Sequence, residues 1–200
     1  MTFDLTNEHA GDAYKILSSL VTPRPIAWVT TQNRDGVVNA APFSFFNVFG
    51  ANPPMIAFAP GDRSAGVPKD TAKNIIESGE FVINMVDAAV AESMNQTAAS
   101  VPDWQSELHA SGLTLVASET IQPPRIGESP ASMECTKHSV IEVGSNRLII
   151  GIVGRVHVRE GVFDPETYYI NMNAYKPIGR MASPSWYTNT EDLFEMPRPD

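Results

Sequence analysis

Chemistry in this chain concentrates where a glycine-bearing loop runs into the start of a helix. Over Gly61-Asp62-Arg63-Ser64-Ala65-Gly66-Val67-Pro68-Lys69-Asp70-Thr71 the loop carries Arg63, Ser64 and Lys69 up to a helix N-terminus. Unpaired backbone N–H groups and the positive end of the helix dipole favour an anion there. Two cations and the hydroxyls of Ser64 and Thr71 would hold a phosphate through charge-assisted hydrogen bonds. The same residues also suit a solvated loop, with Asp70 or Thr71 capping the helix and the cations in water. On composition alone that bland arrangement is the commoner one.

A second stretch could receive a flat ring. Pro23-Arg24-Pro25-Ile26-Ala27-Trp28-Val29 leads through a hairpin into Asn39-Ala40-Ala41-Pro42-Phe43-Ser44-Phe45-Phe46. Ala40 and Ala41 would let a ring approach the backbone, Asn39 and Ser44 offer hydrogen bonds, and Trp28, Phe43, Phe45 and Phe46 could wall the pocket. Mostly apolar pockets with a few placed polar groups are typical ligand sites. An ordinary aromatic β-core reads the same way.

Other chemistries are poorly supported. No G-x-S-x-G elbow, P-loop or G-x-G-x-x-G fingerprint occurs. The histidines His9, His109, His138 and His157 have no ligand-like spacing, so no metal site is expected. Cys135, the single cysteine, excludes an internal disulfide framework and reads as a small buried hydrophobe. His157 lies between Val156 and Val158 on a strand, with Arg155 on its face, and reads as a solvent-facing barrel residue.

The elements that must position these residues are mostly strands. Ile26 to Thr31 and Val37 to Ala41 flank Asn33-Arg34-Asp35-Gly36, whose Asp-Gly is a strong hairpin signal. Strands are expected at Phe43 to Phe49, Met55 to Ala59, Phe81 to Val86 and Leu113 to Ala117. Met133 to Val143 and Arg147 to Arg159 read as a long hairpin around Gly144-Ser145-Asn146. Helices are expected at Ala13 to Val21, from Asp70 to a stop at Gly79, and over Ala88 to Asn95. In the second of these, Ala72, Ile75 and Ile76 should share the buried face. Six or more strands with two or three short helices indicate a mainly β barrel or sandwich rather than a doubly wound α/β fold.

The bulk properties set the frame. At 200 residues with 42% hydrophobic and 18% charged content, one globular domain over residues 1–200 is expected, with 184–200 as a Pro-rich extended tail. Fourteen Lys+Arg against twenty-three Asp+Glu give a formal charge of -9, which argues against nucleic-acid and anionic-membrane partners. Met1 to Ala10 shows no signal pattern, and no apolar run approaches the ~20 residues of a membrane span. A cytoplasmic protein is the expectation.

Four segments in order, PRPIAWVTT (Pro23–Thr31), NAAPFSFFN (Asn39–Asn47), KDTAKNI (Lys69–Ile75, with GEFVINMV following) and YKPIGRMASPSWY (Tyr175–Tyr187), resemble the flavin reductase-like family of FMN-binding split barrels. That group includes flavoredoxin and the reductase components of two-component monooxygenases. The resemblance covers roughly Leu17 to Tyr187 and implies a Greek-key split β-barrel with a few short helices. It implies FMN, with the isoalloxazine against Asn39, Ala40, Ala41, Pro42, Ser44 and Phe45. The phosphate would lie on Arg63, Ser64, Lys69, Asp70 and Thr71. Arg180 would help hold the cofactor or a nicotinamide phosphate, or else form a surface or interface salt bridge. A homodimer, NADH or NADPH as donor, and an oxygenase receiving reduced flavin are likewise implied. The alternative is a flavoredoxin-like electron carrier reduced by a protein partner. No residue of the chain is expected to act as a nucleophile or strong acid, because the hydride acceptor would be the flavin.

Overall fold

A computed structural model describes residues 1–99, 106, 108 and 111–199. His109 lies outside them. The strands are β1 (Ala27–Gln32), β2 (Val38–Phe43), β3 (Phe46–Ala51), β4 (Pro54–Phe58), β5 (Glu80–Asn84), β6 (Leu115–Val116), β7 (Arg125–Ile126), β8 (Ala131–Val143), β9 (Asn146–Val158), β10 (Ile178–Arg180) and β11 (Tyr187–Asn189). The helices are α1 (Ala13–Leu20), α2 (Asp70–Ser78) and α3 (Ala91–Gln96). No helix among the described residues is long and apolar enough to cross a membrane.

Seven strands form one antiparallel sheet in the order β2-β1-β5-β8-β9-β4-β3. Its two edge strands are neighbours in the chain, joined only by Ser44 and Phe45. A link that short forces the sheet to curl until its edges approach. The edges do not pair with each other, so the barrel is split along the β2/β3 seam. Curling is helped by register shifts at Glu134/Cys135 and Lys137/Ser139 in the long β8–β9 hairpin, since bulges bend a strand and increase its twist. Gly151 on β9 lets the Phe81 ring come close, because a Cβ there would lie 2.5 Å from its Cζ.

Alternation on β1 distributes the chain into two cores. Ala27 and Val29 face the barrel interior with Phe43, Phe46, Ile56, Phe58, Ile75, Phe81, Ile83 and Ile149. Ile26 and Trp28 face outward, where Val86, Val90, Met94, Ile126 and Ile178 cover them. Polar groups buried in these layers are paired. Asn84 donates to the Trp28 carbonyl and the Thr30 hydroxyl, and accepts from the Ile126 amide and the Ser132 hydroxyl.

Most expected elements form, and the departures have local causes. The Asp-Gly hairpin is stabilised by Asn33, whose Oδ1 accepts from the amides of Asp35 and Val37, while Gly36 takes φ +81°. Helix α2 ends as expected at Gly79, in the left-handed region at φ 79°. Its buried face is Thr71, Ala72, Asn74 and Ile75, and Ile76 instead stands 40% exposed. Neither Asp70 nor Thr71 caps it, for Lys69 occupies the N-cap with no side-chain cap bond. The segment expected as one helix from Ala88 begins as a 3-10 turn, Ala88–Val90, before α3. The expected tail is partly structured, because Tyr187–Asn189 returns as β11 to pair with β10.

Candidate functional site

A cleft of about 280 Å³ lies along the outer edge of β2. Its walls are Asn39, Ala41, Pro42 and Phe43 from that strand, Asp62 and Arg63 from the loop, Lys69, Asp70 and Thr71 from the start of α2, and Thr97, Ala98 and Ala99 beyond α3. Seven of the expected residues therefore meet in one place: Asn39, Ala41, Pro42, Arg63, Lys69, Asp70 and Thr71. Because β2 is an edge strand, no further strand covers its outer side.

Local structure explains the meeting. Asn39 donates to Thr71 Oγ at 2.9 Å, which ties the helix start to the strand. Asp70 accepts a hydrogen bond from Arg63 and so brings that guanidinium beside the first turn. Lys69 extends over the Phe43 ring, its Nζ 5.7 Å from the centroid. The loop itself is anchored from behind, where the buried Asp62 carboxylate pairs with Arg147 and the Asp62 amide donates to the Ser145 carbonyl. The tip of the β8–β9 hairpin thus sets the height of the loop. Helix first-turn amides with no intrahelical acceptor, two cations and a hydroxyl make this end suited to a phosphate-like dianion.

The remaining expected residues lie elsewhere. Ala40 is fully buried and does not line the cleft. Ser64 is exposed, in a tight turn where its carbonyl accepts from the Val67 amide. Ser44 and Phe45 form the link across the split, and Phe45 is 40% exposed. Arg180 sits on β10, bonded to the Pro184 carbonyl, with its guanidinium 4.6 Å from the Tyr187 ring centroid. Among the described residues it makes no salt bridge. Of the four aromatics expected to wall the pocket, Trp28, Phe43 and Phe46 are core residues, and of these three Phe43 also lines the cleft. Trp28 acts from beneath, donating from Nε1 to Thr97 Oγ at 2.9 Å and so fixing the Thr97–Ala99 lip.

Two residues considered for other chemistry also find places. Cys135 is buried, and burial together with the Glu134 carboxylate pushes its thiol up to about 12, so it is inert. His157 does not face solvent. Its Nε2 lies 2.6 Å from Glu134 Oε1, because Glu134 on the neighbouring strand is buried and needs partners. Burial pushes that carboxyl up, but hydrogen bonds from the Thr120 hydroxyl, the Glu119 amide, His157 and the Thr120 amide outweigh it and hold the carboxyl at about 2. The cluster fastens the 119–120 turn and lies apart from the cleft.

Three contributors escaped the sequence reading: Asp62, the Thr97–Ala99 lip, and Arg24. Small residues in a lip carry no chemical signature. Arg24 is only 6% exposed and belongs to a motif otherwise read for its apolar content.

Comparison with known proteins agrees with the fold. Residues 18–179 match the Flavin reductase like domain. Nitrilotriacetate monooxygenase component B from Bacillus cereus is 35% identical, with a TM-score of 0.93 over 98% of each chain. The 2-nitrobenzoate 2-nitroreductase NbaA of Pseudomonas fluorescens is 34% identical, with a TM-score of 0.90 over 100% of this chain and 96% of that one. A split barrel chain from Shewanella frigidimarina, 22% identical, superposes over 100% of both chains with a TM-score of 0.84. A mainly β sheet curled into a split barrel, and a family match over most of its length, place this chain in the flavin reductase-like family.

Proposed function

We propose that the chain is an FMN-binding oxidoreductase, an NAD(P)H-dependent flavin reductase that supplies reduced flavin to an oxygenase. The carrying observation is the joining, in one cleft, of the cationic start of α2 with the open edge of β2. Arg63, Lys69 and Thr71 suit the phosphate of a flavin mononucleotide, and Ala41 and Pro42 leave room for a ring beside the strand. That donor set, small floor and anion-binding end fit the group. Ser44 and Phe45 lie further along the same chain direction, where the ring would extend. Arg180 lies on a strand bridged to Arg24, whose Nε donates to Ser44 Oγ.

Bound flavin would supply the hydride acceptor, so the chain's task is to hold, orient and polarise. Lys69 and Arg63 neutralise phosphate charge, the Asn39–Thr71 bond keeps the helix at a fixed distance from the strand, and the Thr97–Ala99 lip limits water on one side. The likeness to nitrilotriacetate monooxygenase component B supports an oxygenase as recipient.

A homodimer in the cytoplasm completes the reading. Tyr14, Leu17 and Leu20 on α1 and Val21 just past it, together with Phe45, Val48 and Phe49, are exposed apolar side chains. The Tyr14 and Phe45 rings meet at 6.0 Å, which makes the patch continuous. A second copy of the chain would cover it, and static light scattering should return twice the chain mass; a monomer would refute the assembly.

The central test is an anaerobic visible spectrum with one equivalent of FMN, before and after NADH and then NADPH. A perturbed flavin band that bleaches on adding one nucleotide is expected and names the donor. A perturbed band that stays oxidised points instead to the flavoredoxin-like carrier. A spectrum identical to free FMN overturns the site.

A further inference from the structure

Beyond the cleft, Arg24 carries the least explained charge in the molecule. It is 6% exposed, yet among the described residues no carboxylate lies within ion-pair distance. Among those residues its guanidinium is held by neutral acceptors alone. One amino group donates to the Ser18 and Val21 carbonyls at 2.5 and 2.6 Å, at the end of α1. The other donates to the Met181 carbonyl at 2.8 Å, just past β10. Nε donates to Ser44 Oγ at 3.3 Å, and the Phe45 ring centroid is 5.7 Å from the guanidinium carbon. Burial lowers its pKa, Tyr14 works the other way, and Arg180 adds to the lowering. Guanidinium nevertheless stays protonated throughout the working range.

Two consequences follow for Ser44. A hydroxyl has one proton and two lone pairs. Accepting from Arg24 uses one lone pair and turns the Ser44 proton away from the guanidinium, leaving that proton free to donate to a ligand at the seam. The charge behind it is offset only by carbonyl dipoles, and buried charges act at lower effective dielectric than exposed ones.

We infer that Arg24 is a positioning residue that sets the reduction potential of the bound flavin, fixing Ser44 as a donor to the ring and favouring the form that carries more negative charge. This deepens the flavin reading and rests on it. Nothing in the mechanism needs Arg24 to touch a nicotinamide or to transfer a proton.

The experiment measures the midpoint potential and the FMN dissociation constant of the full-length protein alongside Arg24→Met, Arg24→Lys and Ser44→Ala. Arg24→Met should weaken binding of reduced flavin relative to oxidised flavin about tenfold, equivalent to a fall of about 30 mV for a two-electron couple. Arg24→Lys keeps the charge and should recover most of that fall. Ser44→Ala should give a smaller fall and shift the visible flavin band. A merely structural clamp would lower the melting temperature and leave the potential alone. An unchanged potential in flavin-loaded Arg24→Met therefore overturns the inference, as does Arg24→Lys behaving like Arg24→Met. Should Arg24→Met not fold, Ser44→Ala decides, and an unaltered potential and band in that variant refute the link. If the unsubstituted protein leaves the FMN spectrum unperturbed, the flavin reading itself falls, an outcome distinct from bound flavin with an unmoved potential.

Discussion

The two ends of the proposed flavin track handle positive charge in opposite ways. At the phosphate end, Lys69 is exposed and Arg63, 46% exposed, leans on Asp70. At the seam, Arg24 is buried and, among the described residues, has only carbonyl and hydroxyl acceptors. Exposed cations keep their hydration and cost little when unbound. They are screened by salt and suited to capturing a mobile anion. A buried cation has already lost its water, so its hydrogen bonds are part of the fold, and whatever lies beside it feels a persistent field. One end is built for affinity, and the other joins stability to electronics.

That contrast can be broken most forcefully at Arg24. Arg24→Ala leaves the carbonyls of Ser18, Val21 and Met181 without their donor and should cost the unliganded protein roughly 3–5 kcal/mol. Urea denaturation reads this directly, and a loss under about 1 kcal/mol would mean the buried end is no more structural than the exposed one. Lys69→Ala should do the reverse. FMN binding should weaken about 10–100-fold, the worth of one charge-assisted contact, while riboflavin binding and unliganded stability hardly change. Equal losses for FMN and riboflavin would remove the phosphate from this end. The smallest effect belongs to Ser64→Ala. Ser64 lies in a turn outside the cleft, and in the same titration it should shift FMN affinity less than about twofold.

Legibility in the sequence followed the range of the interactions. The β1–β2 hairpin announced itself through Asp35-Gly36, and the long β8–β9 hairpin through two long runs around Gly144. Helix α2 was visible from its stop at Gly79 and from Ala72 and Ile75. Its cap was misread because Asp70 and Thr71 are engaged by Arg63 and Asn39, partners 7 and 32 residues away. Strands β10 and β11 have three residues each, too few for alternation to register. The cationic wall of the cleft was legible because its cations crowd into eleven residues, and the family resemblance then singled out the β2 stretch. Arg24 was not legible as a centre of anything, since three of its four acceptors are backbone carbonyls, which every residue possesses. His157 was misplaced for a similar reason: the carboxylate that draws it inward lies 23 residues earlier.

The bond from Arg24 to Met181 joins residues 157 positions apart, and this bears on the order in which the protein becomes competent. Closing so long a loop is entropically costly and belongs to the late part of assembly. The cationic cleft needs only residues 27 to 99 and the hairpin tip at 145–147 behind its loop. A nascent chain on the ribosome could therefore present a formed anion pocket while Arg24 still lacked its Met181 anchor. Flavin captured at that moment would be held by its phosphate, with its ring not yet tuned. The final potential of the ring would be set only with the segment that follows β10.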